Sequence, residues 1–99
     1  MDKIKFNSYL KQMEMYLRFS DHKEADFFNG YVAGLRRSFH GEAFGSARDH
    51  ERFMTNNDKE SVGYKFGFRE VSPGVTIKEY YEMQKPQKTE KKKRFFFFK

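Results

Sequence analysis

A mostly α-helical chain is predicted, a small single-domain bundle of four or five short helices over residues 1–84 with a disordered basic tail over 85–99. Three observations predict it. Ninety-nine residues is the size of one domain. Apolar residues recur at helical spacing, most clearly at Ala25, Phe28, Val32, Leu35 and Phe39. Helix-start signals precede the apolar segments, including Asp21 with Glu24, Ser46 with Asp49 and Thr76 with Glu79. Two non-helical alternatives are open: a strand in the first element, where Met13, Met15, Leu17 and Phe19 alternate, and a short strand near 75–83.

The first helix is expected from Asn7 to about Phe19, with Asn7 and Ser8 as the N-cap and Leu10, Met13 and Leu17 at helical spacing. The second spans roughly 21–40. Its five apolar residues fall within about 80° of one face at 100° per residue. Gly41 is a natural stop, and Arg36, Arg37 and His40 suit the negative end of the helix dipole. A short linker, 41–45, leads to a helix from Ser46 to about Met54 that buries Phe53 and Met54. Thr55-Asn56-Asn57-Asp58 breaks it and caps a helix over 58–71. Ser72-Pro73-Gly74 reads as a turn, after which Thr76 starts the segment that reads as helix or strand.

Residues 1–84 hold nine Phe and six Tyr but only nine Ile, Leu and Val together. The core is therefore expected to be aromatic, with some rings left at the surface for interfaces. The same residues hold thirteen basic and thirteen acidic side chains, so the net charge of +6 lies entirely in the tail. A neutral body argues against a broad phosphate-binding face. There is no Cys, which removes disulfides, thiolate zinc sites and a Cys nucleophile and fits a cytoplasmic setting. The opening MDKIKFNSYLKQ lacks the apolar run of a signal peptide, and no stretch has the length and apolarity of a membrane span.

One internal repeat is present. Gly30-Tyr31-Val32-Ala33-Gly34-Leu35-Arg36 and Gly63-Tyr64-Lys65-Phe66-Gly67-Phe68-Arg69 both read Gly-Tyr-x-x-Gly-apolar-Arg, thirty-three residues apart. Two glycines four apart make a smooth groove on a helix, at about 1 kcal/mol each relative to Ala. The groove either lets the two repeat helices cross closely or receives a partner or a second copy of the chain. On the second reading Phe27, Gly30, Tyr31, Gly34, Arg36, Arg37, Gly63, Tyr64, Gly67 and Arg69 form the contact surface, with Phe27 and Tyr31 exposed. Gly30, Tyr31 and Gly34, followed by Gly67-Phe68-Arg69-Glu70, resemble the paired helices of the ribosome modulation factor family. The resemblance covers about fourteen residues; the spacing is longer here, and the family's middle proline and tryptophans are absent. It implies binding to ribosomal RNA and silencing of translation. The general style, short and aromatic-rich with a polybasic end, also looks like small accessory proteins of phages and mobile elements.

No nucleophile elbow, P-loop or dinucleotide fingerprint occurs, and no catalytic residues, cofactor or metal are expected. His40-Gly41-Glu42 and Asp49-His50-Glu51 offer metal-type ligands, but only one of the two segments has a regular helical placement. The tail, with Lys91, Lys92, Lys93 and Arg94 before Phe95–Phe98, suits phosphate gripping with base stacking, an anionic membrane, a protein groove or plain solubilisation. The expected function is non-enzymatic: a phage-type modulator binding and inhibiting a host protein or nucleoprotein complex. The alternative is an RNA- or ribosome-binding module using Arg36, Arg37, Arg48 and Arg52 with the tail.

Overall fold

The computed structural model describes residues 1–84. It contains five α-helices: α1 (Lys3–Arg18), α2 (His22–His40), α3 (Ala47–Thr55), α4 (Lys59–Phe68) and α5 (Pro73–Gln84). A single 3-10 turn, Gly41–Ala43, joins α2 to α3. The expectations for the tail, including the phosphate-gripping role of Lys91 to Arg94, lie outside the described residues.

Capping chemistry sets the helix starts. Asp21 Oδ1 accepts the Glu24 N–H at 2.8 Å, and Glu24 Oε1 accepts the Asp21 N–H at 3.2 Å, a complete capping box. At the other end of α2, Gly41 takes a left-handed φ of 66°. Ser46 Oγ receives the Asp49 N–H at 3.1 Å to open α3. Asp58 opens α4 through the N–H and hydroxyl of Ser61, the latter at 2.7 Å. The first helix begins earlier than the Asn7–Ser8 reading placed it. Asp2 Oδ1 takes the Lys5 N–H at 2.7 Å, and the extra turn brings Phe6 into the core.

Residues 75–83 are helical, and no strand occurs among the described residues. The stretch also reads as a strand, but the buried residues are Pro73, Thr76, Ile77 and Tyr80, one face of a 3.6-residue period. Pro73 is the first residue of α5, where its missing N–H costs nothing. Ser72 Oγ meets the Val75 N–H at 3.4 Å. Ser72-Pro73-Gly74 is thus a helix start rather than a free turn, and Thr76 lies inside the helix instead of capping it.

The fourth helix stops at Phe68, short of the expected 71. Glu70 adopts φ 62°, its N–H donates to Gly67 O at 3.0 Å, and the Val71 N–H donates to Phe66 O at 3.1 Å. This is a Schellman closure with glutamate where glycine is usual. Ser38 Oγ donates to Glu70 Oε2 at 2.8 Å, and the Met1 ammonium and Lys5 Nζ lie 3.5 and 3.6 Å from its carboxylate oxygens. These contacts hold a backbone conformation that costs a non-glycine residue roughly 1 kcal/mol.

Two helical hairpins, α1–α2 and α3–α4, pack through α2 and α4, which share the most extensive contact in the domain. The register shows how. A Cβ built on Gly30 would lie 2.8 Å from the Glu60 carbonyl carbon, and one on Gly34 would lie 2.8 Å from that of Tyr64. Reciprocally, a Cβ on Gly63 or Gly67 would meet the carbonyl carbons of Phe27 and Tyr31 at 2.9 Å. The repeat helices therefore run parallel, backbone on backbone, and exchange equivalent contacts across an approximate two-fold axis. This is the small-residue crossing that helix pairs use in membranes, built here inside a domain whose helices are all too short or too polar to span one. α5 returns antiparallel to α4 and lays Tyr80 on Phe27 and Phe28, with ring centroids 4.6 and 5.5 Å apart. The core is aromatic, as the composition implied: Phe6, Phe27, Phe28, Tyr31 and Tyr80, with Met13, Leu35 and Ile77.

Candidate functional site

The repeat residues proposed as a contact surface are mostly interior. Phe27 is 1% exposed and Tyr31 0%, and Gly30, Gly34, Gly63, Tyr64 and Gly67 are all buried. Phe27 and Tyr31 were expected exposed only on the reading in which the glycine face receives a partner; the other reading, a close crossing of the two repeat helices, is the one the structure has. The helix is enclosed on two sides, by α1 along the stripe and by α4 along the glycines. The Tyr31 hydroxyl donates to Val71 O at 2.6 Å, and burial raises its pKa well above the tyrosine range. Tyr31 therefore stitches α2 to the α4–α5 turn.

The arginines divide. Arg37 Nη1 donates to the carbonyls of Gly45 and Ser46 at 2.8 and 3.0 Å, tying the α2–α3 loop to α2. Arg36 is half-buried, with a buried Nε that has no hydrogen-bond partner. Arg48, Arg52 and Arg69 are exposed, Arg52 lying over the Phe53 ring with its carbon centre 4.6 Å from the centroid. The four arginines of the RNA reading thus do not form one free set.

Both histidines with carboxylate neighbours have structural partners. The His40 ring meets Phe39 edge-on at 4.9 Å. His50 Nδ1 lies 2.8 Å from the Tyr64 hydroxyl, and its ring centroid is 4.5 Å from that of Phe68. Burial, then the positive charge of Arg37, lowers the His50 pKa, while burial raises that of Tyr64. Among the described residues no three His, Asp or Glu side chains are grouped to hold a metal ion.

Exposed apolar side chains occur at both ends, Phe44 beside Arg37 among them; a larger aromatic group lies at the opposite end from Arg37. There α1 ends, α2 and α4 begin and α5 ends. Phe19 is 83% exposed, Tyr16 42%, Tyr81 47% and Met83 44%. Tyr16, Tyr81 and Met83 form one neighbourhood, and Phe19 lies at the C-cap of α1. Tyr16 lies 6.5 Å from Phe28, which contacts Tyr80, and the Tyr81 ring lies 5.3 Å from Tyr80. The Tyr81 hydroxyl donates to Glu24 Oε2 at 3.0 Å. Burial, then that bond, raises its pKa. Glu24 therefore serves twice, capping α2 with one oxygen and orienting Tyr81 with the other. Beside Tyr80 and Met83 is a crevice of about 150 Å³, whose apolar lining is completed by Phe27 and Val62. That volume suits one side chain and is well below the few hundred Å³ of a small-molecule pocket.

In the sequence Tyr80, Tyr81 and Met83 belong to the segment after Thr76 that reads as helix or strand, with nothing local to separate core from surface rings. Adjacent residues on a helix point about 100° apart, so Tyr80 and Tyr81 could not share the core. Comparison with protein families, curated proteins and solved structures finds no match to this chain.

Proposed function

We propose that the chain is a non-enzymatic interaction protein, a modulator of the phage or mobile-element type that binds a host protein or nucleoprotein complex and inhibits it. The observation that carries this reading is the exposed aromatic end, Tyr16, Phe19 and Tyr81 with Met83. Tyr and Phe are enriched at the centres of protein interfaces and Met at adaptable ones. A large ring left in water without a partner forgoes the burial that would stabilise it. Tyr81 is held by Glu24 before any partner arrives, so little side-chain freedom remains to be lost on binding. The adjoining crevice accepts one apolar anchor from the other side.

The test uses the full chain with a photo-crosslinking phenylalanine analogue at position 81, and in a separate sample at Ile4, exposed at the far end of α1. Each is irradiated in a bacterial lysate with and without nuclease. The expected result is one protein adduct from position 81, absent from position 4, surviving nuclease and varying little with salt. The triple variant Tyr16→Ser, Phe19→Ser, Tyr81→Ser should keep its circular dichroism and lose the partner. An adduct that needs RNA, with affinity falling steeply with salt, would replace this reading with the RNA- or ribosome-binding one.

A further inference from the structure

We infer that the cavity between α2, the α2–α3 loop and α3 is a binding site for a single carboxylate group, held by the guanidinium of Arg37. The cavity measures about 120 Å³. At about 30 Å³ per water in the liquid this is room for roughly four waters, the size of a carboxylate with a short carbon stem. It lies at the opposite end from the aromatic surface and does not depend on the function proposed there.

The inference begins with the donors of Arg37. A guanidinium carries five N–H groups in a rigid fork. Nη1 is committed to Gly45 O and Ser46 O, which fixes the plane of the group. The edge formed by Nε and Nη2 makes no hydrogen bond among the described residues, and none of their ion pairs includes Arg37. That edge is the one that pairs with both oxygens of a carboxylate. A half-buried guanidinium with no ion-pair partner among the described residues gains a charge-assisted pair from an incoming anion.

The remaining walls suit such a guest. Among the described residues Asp49 is the only acid lining the cavity, and its carboxylate is 3.9 Å from Arg52. Phe53 stacks on Tyr64 with ring centroids 4.4 Å apart, giving an apolar side for a carbon stem. His50 faces the same space with Nδ1 on the Tyr64 hydroxyl, and Arg37 disfavours its protonation. A bound anion would offset that effect, so the His50 ring is a built-in reporter.

Two sources share this chemistry: a free small carboxylic acid, or the Asp or Glu side chain of a partner protein. The experiment follows the His50 ring of the full chain by NMR during titration with acetate, with a capped Gly-Glu-Gly peptide, and with chloride as control. The expected result is saturable binding at roughly millimolar acetate, with the His50 pKa moving up by about half a unit. Chloride should give neither. A tenfold preference for the peptide assigns the site to a partner's acidic side chain; equal binding assigns it to a small acid. Arg37→Gln should abolish the shift. Because that variant also frees the loop, Ala33→Leu provides the second arm, filling the cavity from α2 while leaving Arg37 and its two carbonyls in place. The inference is overturned if neither probe shifts His50, if chloride shifts it equally, or if the shift survives in Ala33→Leu.

Discussion

Replacing Gly34 or Gly67 by alanine should destabilise the domain, although alanine is the better helix former. In an open helix the change gains about 1 kcal/mol. Here the added methyl would lie 2.8 Å from backbone atoms of the facing helix: Tyr64 C and Phe68 N for Gly34, Leu35 N for Gly67. Those atoms cannot rotate aside, so the helices must separate by more than half an ångström to reach ordinary contact. Overpacking a core costs about 1–3 kcal/mol where side chains can yield. With backbone on both sides the upper end applies, leaving a net loss of about 2 kcal/mol. For a domain of this size that lowers the thermal midpoint by roughly 10 °C. The internal control is Gly74, in the first turn of α5, where nothing lies within 4 Å of a built Cβ. Gly74→Ala should gain about 0.5 kcal/mol through the unfolded state. Thermal and urea unfolding of the three variants reads the contrast directly. If Gly34→Ala and Gly67→Ala match or exceed the wild type in stability, the close parallel crossing is wrong.

Acid should weaken the fold in two stages. The His50 pKa is lowered by burial and Arg37, so below its unfolded pKa, about 6.5, the unfolded chain binds the proton more readily and stability falls; this stage should vanish in His50→Gln. Glu70 is lowered first by the Ser38 hydroxyl and then by Met1 and Lys5, so its contribution is complete above the unfolded carboxylate pKa and disappears as pH drops through the lower folded value. Glu70→Gly should relieve the left-handed backbone while losing these contacts, leaving stability at pH 7 within about 1 kcal/mol of wild type but flattening the acid limb of the midpoint-versus-pH curve. Tyr64→Phe removes the hydroxyl 2.8 Å from His50 and should cost about 1 kcal/mol by urea denaturation, with a displaced His50 ring resonance. Tyr31→Ala should unfold much of the domain, at about 3 kcal/mol or more by thermal or urea unfolding, because the ring is fully buried.

Local signals were legible wherever they act through backbone chemistry alone. The start of α2 at the Asp21–Glu24 box, its stop at Gly41 and the caps at Ser46 and Asp58 all rest on hydrogen bonds within four residues. The aromatic core followed from counting, because no other residues were numerous enough to form one. Errors arose where a longer-range contact outvoted a local one. Asp2 caps α1 because the extra turn buries Phe6 beneath Phe39, its ring stacked at 4.3 Å, and nothing near residue 6 announces that partner. Thr76 and Glu79 carry the form of a capping box, yet burial of Pro73 extends the helix past it.

The amino-acid sequence by itself determined that this is a helical chain with an aromatic interior and a duplicated Gly-Tyr-x-x-Gly helix that must pack against something. Only the tertiary structure decided what. The glycines face each other in parallel register, so the groove is filled from within, and Tyr16, Phe19 and Tyr81 are left exposed toward the end where α1, α2, α4 and α5 meet. The physical reason is that a glycine face is equally suited to a neighbouring helix or to a foreign one. Proximity in one chain makes the internal partner available at high effective concentration, and it fills the groove first.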